Sequence, residues 1–119
     1  MARVPVVRID GILVATVQDE LHDRDALRLQ EDIAARLEQG GAHGVLIDLS
    51  AAETVDSFLG RLLHDVATSA RLLGAETVVV GIQPAVAITL VELGLELRGV
   101  RTALTAEKGF AVLNRRSRA

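Results

Sequence analysis

The chain has no cysteine, no tryptophan and no tyrosine, a single lysine, and only Phe58 and Phe110 as aromatic rings among 119 residues. Without cysteine there is no disulfide, no thiolate nucleophile and no Cys-ligated zinc site, which fits a reducing cytoplasm. Single-stranded nucleic acid is held by stacking on aromatic rings, and duplexes by a strongly basic surface. Two phenylalanines and a formal net charge of −3 offer neither, so nucleic acid is not the expected partner. The lone lysine, Lys108, lies in Glu-Lys-Gly-Phe and not in the Gly-Lys-Ser/Thr of a phosphate-binding loop. A receiver-type phosphoacceptor fails on the same count: Asp10 and Asp48 resemble its acids, but the lysine needed near a late strand is missing. Neither Gly-x-Gly-x-x-Gly nor Gly-x-Ser-x-Gly occurs.

Long uninterrupted hydrophobic runs are also scarce. No apolar core of signal-peptide length precedes Asp10. The region from Thr77 to Leu97 approaches the length of a membrane span. Gln83-Pro84 breaks it, however, and Glu92 and Glu96 sit at helical spacing in its second half. It reads as a buried strand followed by a helix, and no membrane partner is expected.

What is abundant is aliphatic: half of the residues are apolar. Val4 to Ile9 and Ile12 to Gln18 are β-branched runs around Asp10-Gly11, a strong hairpin signal because both turn residues tolerate positive φ. From Asp23 to Gln39 the period becomes helical. Leu27, Ile33, Ala34 and Leu37 are expected on the inner face, with Arg28, Glu31, Asp32 and Arg36 outside, and Gly40-Gly41 as the stop. Val45 to Leu49 has strand length. A second helix is predicted from Ser57 to about Leu73, with Phe58, Leu62, Val66, Ala70 and Leu73 as its buried stripe and Gly74 after it. Thr77 to Ile82 reads as a fully buried strand. Pro84 suits the first turn of a third helix, where its missing N–H does no harm. Val100 to Leu104 and Thr105 to Asn114 complete the pattern as strand and helix, with Glu107 in a capping-box-like place and Arg115, Arg116 and Arg118 as a frayed basic tail. The order, a hairpin and then alternating helices and strands, predicts one α/β domain over residues 1–119, with a mixed sheet of about five strands and helices packed on it.

Few side chains offer chemistry. His22, His43 and His64 fall on separate elements without a ligand-spaced partner, and read as exposed histidines at element ends rather than a metal site. Asp23 with Asp25, and Glu31 with Asp32, read as helix N-terminal charges and a solvated face. The informative junction is Thr54-Val55-Asp56-Ser57-Phe58-Leu59, which follows a buried strand and opens an amphipathic helix. Binding loops of α/β sheets lie beyond the carboxyl ends of the strands. Asp56 is the expected N-cap and Ser57 the first helical residue, its hydroxyl near free backbone N–H groups. A serine or aspartate at a helix start is most often only a cap. Here Ser57, Arg61, His64 and Thr68 share an outward face that is polar yet sparsely charged, as a docking surface would be.

Asp56-Ser57-Phe58, with Gly81-Ile82-Gln83-Pro84-Ala85-Val86-Ala87-Ile88-Thr89-Leu90 and the following Glu92-Leu93-Gly94, resembles the RsbS family, the short STAS-domain antagonists of bacterial stressosomes. Asp25 to Asp32 and Gly44 to Leu49 are similar to the same family, so the likeness covers nearly the whole chain. The resemblance implies a STAS fold, no enzymatic activity, no cofactor and no metal. It implies co-assembly with an RsbR-like co-antagonist into a large hetero-oligomer, together with a homodimer. It also implies sequestration of an RsbT-like serine kinase, phosphorylation of Ser57 by that kinase with its release, and resetting by an RsbX-like phosphatase. Asp56, Arg61, His64 and Thr68 are then the expected partner-binding residues, and the Ile82 to Leu97 region the expected assembly surface. Two other readings share the pattern: a single-domain antagonist that captures an anti-sigma-factor kinase directly, and a small ligand-binding or phosphotransfer α/β enzyme. The enzyme would need a base and a phosphate cradle beside Ser57, and the sequence supplies neither.

Overall fold

A computed structural model describes residues 4–19, 21–94, 97 and 99–117. Asp10 (φ 50°) and Gly11 (φ 80°) form the two-residue turn that joins β1 (Val6–Ile9) to β2 (Ile12–Thr16), with Ile9 paired to Ile12 and Val7 to Val14. The chain continues through α1 (Asp23–Gln39), β3 (Gly44–Asp48), α2 (Ser57–Leu72), β4 (Glu76–Val80), α3 (Pro84–Glu92), β5 (Val100–Ala103) and α4 (Ala106–Ser117). The sheet order is β1-β2-β3-β4-β5; the hairpin is antiparallel and every later pair is parallel. This is the mixed five-stranded sheet with packed helices that the sequence predicts, with strand ends shifted by one or two residues.

Right-handed crossovers between sequential parallel strands put α1 and α2 on one face. There Leu29, Ile33, Leu62, Leu63 and Val66 meet Leu13, Ala15, Val45, Ile47 and Val79 in the larger core. On the other face α4 lays Leu113 and the half-buried Phe110 against Ile12, Leu46, Val78 and Val80. It lies close because residue 109 is glycine: a Cβ there would stand 2.6 Å from Val80 Cγ1. With both faces covered, β3 and β4 are buried throughout their apolar lengths, which is why their sequences show no alternation.

Several helix details differ from the sequence reading. In α1 the inner face is Ala26, Leu29, Ile33 and Leu37, whereas Leu27 is 57% exposed and Ala34 half-buried. The stripe is the side of α1 that packs against α2 and the sheet, whatever the size of its side chains. In α2, Leu73 falls past the last turn and is 46% exposed, while Leu59, Leu63 and Ala67 widen the buried face. The α4 cap is Thr105, whose Oγ1 accepts from Lys108 N–H at 3.2 Å; Glu107 comes one residue too early for the return half of a capping box. That helix also runs on through the basic stretch to Ser117, and Arg118 lies outside the described residues. His22 is an exposed N-cap whose N–H donates to Asp25. His64 is exposed in the body of α2, not at its end. His43 is half-buried, its ring against Gly11 and its Nε2 buried without a partner. Arg28 and Glu31 are exposed on the outer face of α1, where the half-buried Asp32 and Arg36 pair at 3.0 Å.

Among the described residues Thr77 is the one buried polar residue of the core, and its Oγ1 has no hydrogen-bond partner among them. A buried hydroxyl without a partner costs free energy that an isosteric methyl does not. Thr77→Val is therefore expected to stabilise the fold by about 1 kcal/mol, read as a rise of a few degrees in melting temperature by circular dichroism.

Candidate functional site

The parallel register aligns Thr16, Asp48, Val80 and Ala103 at one end of the sheet. The loops beyond them form the crevice where α/β sheets bind ligands and partners. The loop from Ser50 to Asp56 runs through it and delivers Ser57 to the mouth of α2. Asp56 is extended (φ −128°), and its Oδ1 accepts the N–H of Leu59 at 3.0 Å, as the sequence predicts for an N-cap. The N–H groups of Ser57 and Phe58 belong to the helix's first turn and find no acceptor within it. Ser57 is exposed.

The loop is held mainly by side chains from outside it. Asp19, just past β2, accepts through Oδ1 from Glu53 N, Thr54 N and Thr54 Oγ1, each at 3.1 Å. Asp48 Oδ1 accepts from Ser50 N at 2.8 Å, and Gln83 Nε2 donates to the Ser50 carbonyl at 2.8 Å. Three strand ends thus converge on one loop. Beside it lies a cleft of about 200 Å³, walled by Leu21, Val55, Phe58 and Leu59 and bordered by Asp19 and Asp56. Asp56 and Phe58, the neighbours of Ser57, both line this cleft.

The N–H of Thr54, then that of Glu53, hold the Asp19 carboxyl below its ordinary pKa, against a smaller upward push from desolvation. Since folding lowers this pKa, the clamp contributes stability above the usual aspartate value of about 3.9. That contribution is lost as pH falls through the lower native value. Amide exchange at Glu53 and Thr54 is expected to quicken as pH drops below about 4, after correction for intrinsic rates. Asp19→Asn should show quicker exchange at neutral pH and no such acid dependence, by NMR.

Ser57, Arg61, His64 and Thr68 are all exposed along one side of α2, so the structure brings the four together as the sequence predicts. Thr68 Oγ1 donates back to the His64 carbonyl at 2.9 Å, leaving Arg61 and His64 as the more outward groups. In the region suspected of assembly, Ile88 and Val91 of α3 are 60% and 78% exposed. Leu95 and Glu96 lie outside the described residues. No described helix is long and apolar enough to cross a membrane, and no cluster of three or more potential metal ligands occurs among the described residues. Sequence reasoning missed Asp19 and assigned no contact to Thr54 or Gln83. Asp19 carried one usable signal, an acid at the carboxyl end of a strand flanking the crevice.

Residues 3–108 match the model of the STAS domain family. Among curated proteins, the RsbT co-antagonist protein RsbRD of Bacillus subtilis (strain 168) is 30% identical over 90% of this chain; the chain spans 39% of that relative's length. Among solved structures, a serine-to-glutamate variant of RsbS from Moorella thermoacetica superposes with a TM-score of 0.83 at 39% identity, covering 99% of this chain and 100% of that one. A chain from a structure of the stressosome, described as a signal integration and transduction hub, gives 0.82 at 40% identity, covering 97% of this chain and 100% of its own. A chain that matches RsbS over nearly its whole length, on a sheet whose carboxyl edge carries an aspartate-capped serine, belongs to the STAS domain family and is RsbS-like within it.

Proposed function

We propose that this protein is a stressosome scaffold that holds an RsbT-like serine kinase and lets it go when Ser57 is phosphorylated. The observation that carries the reading is the placement of Ser57: exposed, first in α2, and fixed by a loop tied to three strand ends. In the transfer, Ser57 Oγ attacks the γ-phosphorus of ATP. The Oγ–P bond forms, the bond to the ADP oxygen breaks, and the hydroxyl proton passes to a base of the kinase. The chain supplies the acceptor and the docking face, and the kinase supplies the catalysis.

A phosphate there carries about −1.5 to −2 charges. It faces the free N–H groups of the first turn, where an anion gains roughly 0.3–1 kcal/mol. Arg61, one turn on, offers a charge-assisted partner, and Asp56 repels modestly. The fold is therefore unharmed, while a kinase seated on Ser57, Arg61, His64 and Thr68 meets a new charge at its interface. An RsbR-like STAS protein is the co-assembling partner, an RsbX-like phosphatase removes the phosphate, and the exposed side of α3 contributes to assembly. The test is incubation with a purified RsbT-type kinase and magnesium ATP, followed by mass spectrometry. The reading predicts one added phosphate on Ser57; labelling elsewhere, or none, overturns it.

A further inference from the structure

We propose that Gln83 is a positioning residue for the phosphoacceptor, tying the start of α3 to the loop that presents Ser57. The inference rests on the Ser57 reading and adds to it control by a second element. Gln83 is the N-cap of α3, where a side chain ordinarily turns back onto its own helix's first N–H groups. It makes no such cap bond. Its Nε2 instead donates to the Ser50 carbonyl at 2.8 Å. The helix tolerates the diversion partly because Pro84 in its first turn brings no N–H to satisfy.

The approach of the two loops is sterically provided for. Gly81 has φ +71°, and a Cβ on it would stand 2.9 Å from Asp48 Oδ1, 3.0 Å from Ser50 Cβ and 3.1 Å from Ser50 N. Any side chain at position 81 would wedge the loops apart. With glycine there, Ser50 is gripped at both backbone groups, its N–H by Asp48 and its carbonyl by Gln83. Asp19 then fixes Glu53 and Thr54, and Asp56 closes onto α2. Of these ties the one from Gln83 reaches the loop from α3, so it transmits the position of that helix towards Ser57. A near-attack geometry depends on such fixing, since displacement of a reacting atom by about 1 Å can cost on the order of a hundredfold in rate.

Gln83→Glu keeps the shape but replaces the donor with a carboxylate oxygen facing the Ser50 carbonyl. Gln83→Lys restores a donor of comparable reach. Two readouts are taken on each: amide hydrogen exchange from Ser50 to Val55, and steady-state labelling of Ser57 by a purified RsbT-type kinase with magnesium ATP. Gln83→Glu is expected to speed loop exchange and lower kcat for labelling, each by about tenfold, with KM nearly unchanged because the α2 face is intact. Gln83→Lys should recover most of both. Unchanged exchange and labelling in Gln83→Glu overturn the proposal, and so does equal impairment of both variants, which marks a purely structural cap. If the parent is not labelled at Ser57 the scaffold reading fails, and the exchange data still decide whether Gln83 holds the loop.

Discussion

Ser57→Ala should melt within a degree or two of the parent and take up no phosphate, while Ser57→Asp should melt similarly but bind the kinase at least tenfold more weakly. The thermal part follows from exposure: substitutions on the surface away from special features usually change stability by less than about 0.5 kcal/mol. An aspartate at the first helical position gains from the helix dipole what it loses to Asp56 beside it. The binding part follows from desolvation. An unpaired charge brought into an interface can cost several kcal/mol, and about 1.4 kcal/mol is a tenfold change in affinity. Calorimetric titration of the kinase into each variant checks it, with Ser57→Ala expected to bind like the parent. Kinase binding by Ser57→Asp equal to the parent's would remove electrostatics from the release step.

Leu63→Ala should give the opposite pattern. Leu63 lies on the inner side of α2 with 0% exposure, among the residues that join α1 and α2 to the sheet. Truncating a leucine in such a position costs about 2–5 kcal/mol, a large share of the roughly 5–15 kcal/mol that holds an ordinary domain together. The melting temperature should fall by about 10 °C or more, measured by circular dichroism. At low temperature, where the chain is still folded, labelling of Ser57 should persist at nearly the parental rate. Together the two substitutions separate the inner face of α2, which holds the helix in place, from its mouth, where the proposed phosphoacceptor lies.

The architecture was legible because its signals are local. Asp10-Gly11 between β-branched runs, the apolar stretch ending at Val80, and Pro84 after Gln83 each determine their own element through backbone sterics. The Asp56 cap was legible for the same reason, since a cap acts within three residues. The errors occurred where tertiary geometry decides. Leu27 and Ala26 are adjacent, and the packing of α1 against its neighbours buries the smaller one. Leu73 follows the apolar period of α2 but lies beyond its last turn. His43, just before β3, is drawn inward because Gly11 in the neighbouring hairpin turn leaves room for its ring. Asp19 and Gln83 were harder still: their partners, Glu53 with Thr54 and Ser50, are more than thirty residues distant. No periodicity within one element reports such a contact. The resemblance to RsbS supplied the role proposed for Ser57, and the folded chain supplies the side chains that fix its position.

The central claim is that phosphate on Ser57 alters docking and leaves the domain intact. Its most direct test is to phosphorylate the protein, purify the modified form, and measure its affinity for the RsbT-type kinase and its melting temperature beside the unmodified form. The account predicts binding weakened at least tenfold with a melting temperature shifted by no more than a few degrees. Equal affinity of the two forms, or a phosphorylated domain that unfolds far below its parent, would contradict it.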